Sequence, residues 1–96
     1  MTSVQLRRYE IKPGEMEPFL AGMPGVFAVR EQYGFTVAFA LVDDENNEFV
    51  WAVTHDGDFD AAGQAYYDSP ERAALPVKVA DHIAVVHATM VRTVRF

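Results

Sequence analysis

The chain has 96 residues, no cysteine, and a formal net charge of −6 with a sequence pI of about 4.8. The absence of cysteine excludes disulfides, thiolate catalysis and cysteine-based metal sites, and the acidic charge argues against partners such as nucleic acid or an anionic membrane. The length suits one domain over residues 1–96, and without a membrane-spanning apolar run or a signal-peptide pattern at its start we expect that domain to be cytoplasmic.

The first third of the chain predicts a strand followed by helix. Val4–Ile11 alternates apolar and polar side chains with a period of two, which is typical of a strand. Pro13-Gly14 ends that strand, and Glu15–Leu20 has the apolar spacing of a short helix. We expect Pro24-Gly25 to end or kink this helix, with a second helical piece over Val26–Gln32.

The next two apolar segments predict a hairpin. Phe35–Val42 and Glu48–His55 are rich in aromatic and β-branched residues, and the polar run Asp43–Asn47 between them is typical of a turn. Both faces of Phe35–Val42 are apolar. This pattern indicates a sheet covered on both sides, by helices and by a partner.

Helix starts and a last strand complete the pattern. Asp58 is a suitable N-cap for a second helix, and Ser69-Pro70 places an N-cap before a proline at the first helical position. Ile83–Phe96, rich in valine and threonine, predicts a long last strand. The order βαββαβ predicts an α+β, ferredoxin-like fold, an antiparallel four-stranded sheet with helices on one face.

A five-residue turn would fix the register of the hairpin. It sets Phe35 opposite His55 and Phe39 opposite Trp51, with all four side chains on one face of the sheet. If the protein has a ligand pocket, we expect it against this face, closed by the helix that carries Tyr66. Small-molecule sites are mostly apolar with a few placed polar groups, and this face has that composition.

The three histidines differ in their expected surroundings. His55, among aromatic and aliphatic side chains, is the candidate catalytic base. The alternative is a half-exposed histidine at a strand end, bonded to backbone. We expect His87 on an interface or surface of the last strand and His82 in a solvated loop.

Two adjacent arginines lie in the first strand, which is central in this strand order. Arg7 and Arg8 point to opposite faces, so one of them must enter a covered face. A buried arginine needs a carboxylate partner or an anionic ligand. Glu10, or an acidic residue of a partner chain, is the simpler partner, and an anionic ligand is the alternative.

No cofactor or metal motif is recognisable. Asp56-x-Asp58-x-Asp60 copies the opening of a calcium loop, but Ala61 and Tyr67 occupy the positions that require glycine and glutamate. The histidines lack zinc-site spacing, and neither GxGxxG nor a P-loop occurs. We therefore expect no bound metal and no cofactor.

Segments along nearly the whole chain resemble the NIPSNAP family, within the dimeric α/β-barrel superfamily. They are LRRYEIKPGEMEPFL at Leu6–Leu20, VREQYGFTVAFAL at Val29–Leu41, FVWAVTHDGDFD at Phe49–Asp60 and YYDSPERAAL at Tyr66–Leu75. The resemblance implies a ferredoxin-like fold whose sheets face each other in a homodimer, with no shared catalytic signature. Related barrels include cofactor-free monooxygenases, polyketide cyclases and dehydratases, and haem-degrading enzymes.

Two function classes remain open. Half of the residues are hydrophobic, and FTVAFALV and HIAVVHATMV are more apolar than a small monomer needs, so we expect a homodimer. The absence of a coherent catalytic set favours a binding or accessory protein. The resemblance favours instead a cofactor-independent monooxygenase or cyclase acting on an apolar small molecule. Haem binding through a lone histidine is a third, weaker hypothesis.

Overall fold

The structure is a computed structural model that describes residues 2–96. The four strands pair antiparallel in one sheet of order β2-β3-β1-β4, with the helices on one face. This arrangement confirms the ferredoxin-like α+β fold. The elements are β1 Thr2–Ile11, α1 Met16–Gln32, β2 Phe35–Asp43, β3 Glu48–Asp56, α2 Phe59–Tyr67, α3 Pro70–Ala73, a 3-10 turn at Val79–His82, and β4 Ile83–Val91.

The core lies between the helices and one face of the sheet. Tyr9 of β1 and Phe49 and Trp51 of β3 project from this face, because side chains two apart in a strand point the same way. Phe19 of α1 packs edge-on against Phe49 with 5.1 Å between ring centroids. The opposite face, which we call the open face, carries no helix. Within residues 2–96, no helix is long and apolar enough to cross a membrane.

The first helix is continuous from Met16 to Gln32, so the expectation that it ends at Pro24-Gly25 is wrong. Pro24 lies inside α1 and removes one backbone donor from the helix. Buried side chains on both sides of the proline, Phe19 and Met23 before it and Val26 after it, pack toward the same core. Tertiary packing therefore holds the two halves in one helix, as it does for most protein helices.

Two side-chain caps begin the helices after the hairpin, as expected from the sequence. The Asp58 carboxylate accepts a hydrogen bond from the Ala61 N–H at 3.0 Å, and the Ser69 hydroxyl accepts one from the Arg72 N–H at 3.1 Å. These caps fix where α2 and α3 begin.

The hairpin turn is one residue shorter than expected. Asp43 still belongs to β2 and lies opposite Glu48, which leaves four residues in the turn. At the far end of the hairpin, Phe35 lies opposite His55, as expected. The observed pairing matches the expected register at Phe35 but differs from it by one residue at the turn. The two strands must therefore contain an irregularity between these ends.

That irregularity is a β-bulge between Val37 and Phe39. Phe39 lies opposite Ala52, and Ala40 takes the position opposite Trp51, so the expected pairing of Phe39 with Trp51 is wrong. An extra residue in one strand reverses the faces of the side chains that follow it. Phe39 therefore lies on the open face, where it is 42% exposed.

The chain between α3 and β4 crosses closely over α1. A Cβ atom on Gly22 would lie 2.6 Å from Val79 Cγ1 and 2.7 Å from Val77 Cγ1. No side chain fits in that space, so glycine permits this approach. We call Leu75–Ala80 the covering segment. The β4 strand that follows ends at Val91, earlier than the expected Phe96.

We expect Gly22→Ala to lower the free energy of unfolding by about 1–3 kcal/mol, because the methyl group overpacks the contact with the covering segment. Gly63→Ala in α2 is the matched control, since nothing lies within 4 Å of its Cβ position. That change should raise the free energy by about 0.5–1 kcal/mol through helix propensity. Urea denaturation measures both, and a stabilising Gly22→Ala would contradict the close contact.

Candidate functional site

A cavity of about 470 Å³ lies between the helix layer and the β1–β4 half of the sheet. Its volume is in the range of small-molecule sites. The helix-facing side of β4 is left partly uncovered, as the 51% exposure of Val86 shows. The apolar lining comes from both layers and the covering segment: Tyr9, Met23, Val26, Trp51, Tyr66, Ala73, Leu75, Val77, Val79, Ala80, Ile83 and Val86.

The polar lining of the cavity is basic. Arg7, Arg30, Arg72 and Lys78 contribute to it, together with Tyr67, whereas no aspartate or glutamate of the described residues does. The whole chain has 14 acidic and 8 basic residues, so a cavity lined only by basic charges is not expected from its composition. A low-dielectric cleft lined by one sign of charge concentrates ions of the opposite sign.

Arg7 enters the cavity from β1, with only 8% of its surface exposed. Its Nε donates to the Tyr9 hydroxyl at 2.8 Å, one terminal nitrogen donates to Gln5 Oε1 at 2.8 Å, and the other to the Tyr67 hydroxyl at 3.4 Å. Burial opposes the charge, but the oxygens of Tyr9 and Tyr67 outweigh it and raise the pKa of Arg7. Arg7 therefore stays positive without a carboxylate partner among residues 2–96.

Arg30, in the last turn of α1, is buried more deeply, with 3% exposed. Its guanidinium carbon lies 4.1 Å from the ring centroid of Tyr66 and 5.0 Å from that of Phe35. Such contacts with aromatic faces favour a cation. One terminal nitrogen donates to the Tyr67 hydroxyl at 3.3 Å, whereas Nε has no acceptor within residues 2–96. A guanidinium does not lose its proton in proteins, so Arg30 is a buried cation.

The Tyr67 hydroxyl is the point where the two arginines meet. Burial opposes ionisation of this phenol, but the positive charges of Arg7 and Arg30, and their hydrogen bonds, outweigh that effect and lower the pKa of Tyr67. The guanidinium carbon of Arg72 lies 5.0 Å from the centroid of the Tyr67 ring. The site can therefore stabilise negative charge.

The structure brings together some of the residues expected to form a pocket. Trp51 and Tyr66 line the cavity. Phe35 does not line the cavity, but its ring contacts the guanidinium of Arg30, which does. Phe39 is on the other face of the sheet because of the bulge. The pocket consequently forms toward β4 rather than over the hairpin.

His55 does not line this cavity. Its ring packs against Phe35, with 5.1 Å between centroids, and against Phe59 at 6.5 Å. Nδ1 is buried without an acceptor among the residues described. A catalytic role for His55 stays a prediction, and the position of the cavity does not support it.

The other histidines pair with carboxylates outside the cavity. His82 Nδ1 lies 2.8 Å from Glu15, and His87 Nε2 lies 2.7 Å from Glu10 on the open face. Glu10, the simplest expected partner of Arg7, is therefore occupied elsewhere. Within residues 2–96, no three His, Asp or Glu side chains form a group suited to a metal ion.

Sequence reasoning missed Arg30, although a signal for it exists. Phe19, Met23, Val26 and Arg30 follow helical spacing, so Arg30 occupies a position in the apolar stripe of α1. A cation in the last turn of a helix is also favoured by the helix dipole. This common explanation gives no reason to expect that the arginine is buried.

We expect one tyrosine to ionise below the usual range of phenols, and Tyr67→Phe to remove that early phase of the tyrosinate absorbance. Tyr33→Phe is the control, because the hydrogen bond to Glu71 raises the pKa of Tyr33. A lowered folded-state pKa stabilises the fold increasingly as pH rises from that value toward about 10, the value for unfolded tyrosine. An early phase that persists in Tyr67→Phe would contradict the assignment.

No family model and no curated protein matches the sequence. Solved structures do match. An uncharacterised NIPSNAP domain protein from Burkholderia xenovorans is 18% identical, with a TM-score of 0.83 over 100% of this chain and 97% of its own. A NIPSNAP family protein from Agrobacterium tumefaciens is 14% identical, with a TM-score of 0.87 over 100% of this chain and 96% of its own.

A proposed antibiotic biosynthesis monooxygenase from Nitrosomonas europaea is also similar. It is 15% identical, with a TM-score of 0.74 over 99% of this chain and all of its own. At these identities the likeness concerns the fold. The resemblance seen in the sequence is confirmed at that level: the chain has the ferredoxin-like fold of NIPSNAP family proteins.

Proposed function

We propose that the protein is a homodimeric binding domain that holds a small, largely apolar molecule between its helices and its sheet. The observation that carries this proposal is the cavity of about 470 Å³, with an aromatic and aliphatic lining and five polar or charged residues. That composition is typical of ligand sites, in which apolar walls supply affinity and a few polar groups fix orientation.

The aromatic side chains beside the cavity hold its wall in place. Trp51 is fully buried and packs against Tyr9, with 6.2 Å between their ring centroids. Tyr66 is also buried, and its ring centroid lies 5.1 Å from that of Tyr67. Rings packed against neighbouring rings have little side-chain freedom to lose when a ligand binds next to them.

The homodimer is supported by the open face of the sheet. Leu41 is 58% exposed there, and Phe39 and Val85 are also exposed. Part of the polar surface on the same face is already paired, since Arg8 lies 2.7 Å from Glu48 and His87 hydrogen-bonds to Glu10. A second copy is the occupant we propose, because two such faces can meet through a twofold axis and bury about 800 Å² on each partner.

A cofactor-independent enzyme of the monooxygenase or cyclase type is the second candidate. The position of Tyr67 favours it, because Arg7 and Arg30 lower the pKa of this phenol, and a hydroxyl so placed can take part in proton transfer with a bound substrate. The Nitrosomonas europaea protein supports this candidate only by analogy of fold. His55 is the alternative base. With a substrate in hand, Tyr67→Phe and His55→Ala separate the two assignments by which of them abolishes turnover.

Filling the mouth of the cavity should block binding. We expect Val86→Trp to weaken binding of the neutral fluorescent probe N-phenyl-1-naphthylamine by about tenfold or more, equivalent to about 1.4 kcal/mol. Gln64→Trp, on the exposed side of α2, is the control and should leave binding unchanged. Probe fluorescence measures both, and equal binding by wild type and Val86→Trp would count against the cavity as the site.

A charge on the open face should dissociate the dimer. We expect wild type to show a dimer mass in light scattering and Leu41→Asp to show a monomer mass, because the carboxylate would lose its hydration in the interface. Ala65→Asp introduces the same charge on the exposed surface of α2 and should remain dimeric. A monomeric wild type at micromolar concentration would refute the dimer.

A further inference from the structure

The cavity contains more positive charge than the protein neutralises. Arg7 and Arg30 both donate to one oxygen atom, the Tyr67 hydroxyl, at 3.4 and 3.3 Å. Two like charges that meet at one atom, largely shielded from water, repel each other strongly. A single phenol oxygen offers them limited compensation.

No acidic side chain compensates these two arginines. Within residues 2–96, the carboxylates that lie close to basic side chains are paired with Arg8, His82 or His87, and none with Arg7 or Arg30. A partner docked on the open face could not supply an acid either, because the sheet separates that face from the cavity. The simpler alternative from the sequence, a carboxylate partner for Arg7, therefore finds no support.

The arginines retain hydrogen-bonding capacity toward a ligand. Of the five N–H donors of a guanidinium, Arg7 uses one on each nitrogen, and Arg30 uses a single one. Arg30 is also more than nine-tenths buried, and its Nε has no acceptor among the residues described. Such a group is costly unless an anion or another acceptor completes it.

The rest of the cavity constrains the ligand further. Most of the remaining lining is aromatic or aliphatic, with Leu75, Val79 and Ile83 among the aliphatic residues, so the uncharged part of the ligand is apolar. Arg72 and Lys78 extend the positive potential along the lining, which favours the approach of an anion to an otherwise acidic protein. A planar carboxylate matches the fork of a guanidinium in geometry as well as charge.

We propose that the ligand is an organic carboxylate with an apolar, ring-sized body, and that its charged group binds between Arg7 and Arg30 beside the Tyr67 hydroxyl. This proposal rests on the proposed function, namely that the cavity holds a small molecule. It adds the chemical class of that molecule and the residues that recognise it.

The test compares ligands of one shape and different charge by isothermal titration calorimetry on wild-type protein. Naphthalene-2-carboxylate should bind at least about tenfold more tightly than naphthalene-2-carboxamide, about 1.4 kcal/mol or more. Equal affinities would overturn the carboxylate site and leave the proposed binding function intact. No binding of either at millimolar concentration would overturn both. Tighter binding of naphthalen-2-yl phosphate than of the carboxylate would overturn the ligand class.

A pair of adjacent substitutions locates the site. Arg7→Met keeps most of the side-chain volume and removes the charge. The variant should bind the carboxylate no more tightly than the carboxamide, and its affinity for the carboxamide should equal that of wild type. Arg8→Met makes the same change on the open face and should preserve the difference. A difference that survives in both Arg7→Met and Arg30→Met would overturn the assignment. If either variant proves unfolded by circular dichroism, the wild-type comparison decides.

Discussion

The burial of two arginines against one tyrosine is the interaction on which the arrangement of the site depends. Arg7 comes from the central strand, Arg30 from the end of α1, and Tyr67 from the end of α2, so their contact joins the sheet to both helices. The aromatic rings of Tyr66 and Trp51 surround the guanidinium of Arg30 and favour its charge. A core built only for stability would use apolar side chains there, because burying unpaired cations is costly.

The two faces of the sheet differ in what they carry. The helix-facing side holds the aromatic core and, toward β4, leaves a cavity that the covering segment and α1 enclose in part. The close approach at Gly22 sets the position of that segment. The open face carries exposed apolar side chains, together with the Arg8–Glu48 ion pair and the Glu10–His87 hydrogen bond. The proposed ligand binding and the proposed self-association therefore use opposite faces of the sheet.

Local signals in the sequence predicted the elements well, and their failures have local causes. Strand alternation, the caps Asp58 and Ser69, and the polar turn after β2 all depend on residues near in sequence. The sequence placed Phe39 on the wrong face of the sheet. A single extra residue in β2 reverses the faces of the side chains after it, and no residue type marks the bulge. The helix break at Pro24 was wrong because packing outweighed a local signal.

By itself, the sequence determined the order of strands and helices along the chain, and through that order the ferredoxin-like class with its central first strand. Alternation of side chains along that strand then required Arg7 or Arg8 to enter a covered face. Only the tertiary structure decided that Arg7 is the one, that Glu10 is paired with His87, and that Arg30 and Tyr67 join Arg7. Contacts between residues 37 and 60 positions apart depend on how the layers pack. Local chain chemistry carries no direct record of that packing, so the cavity and its charge became visible only in three dimensions.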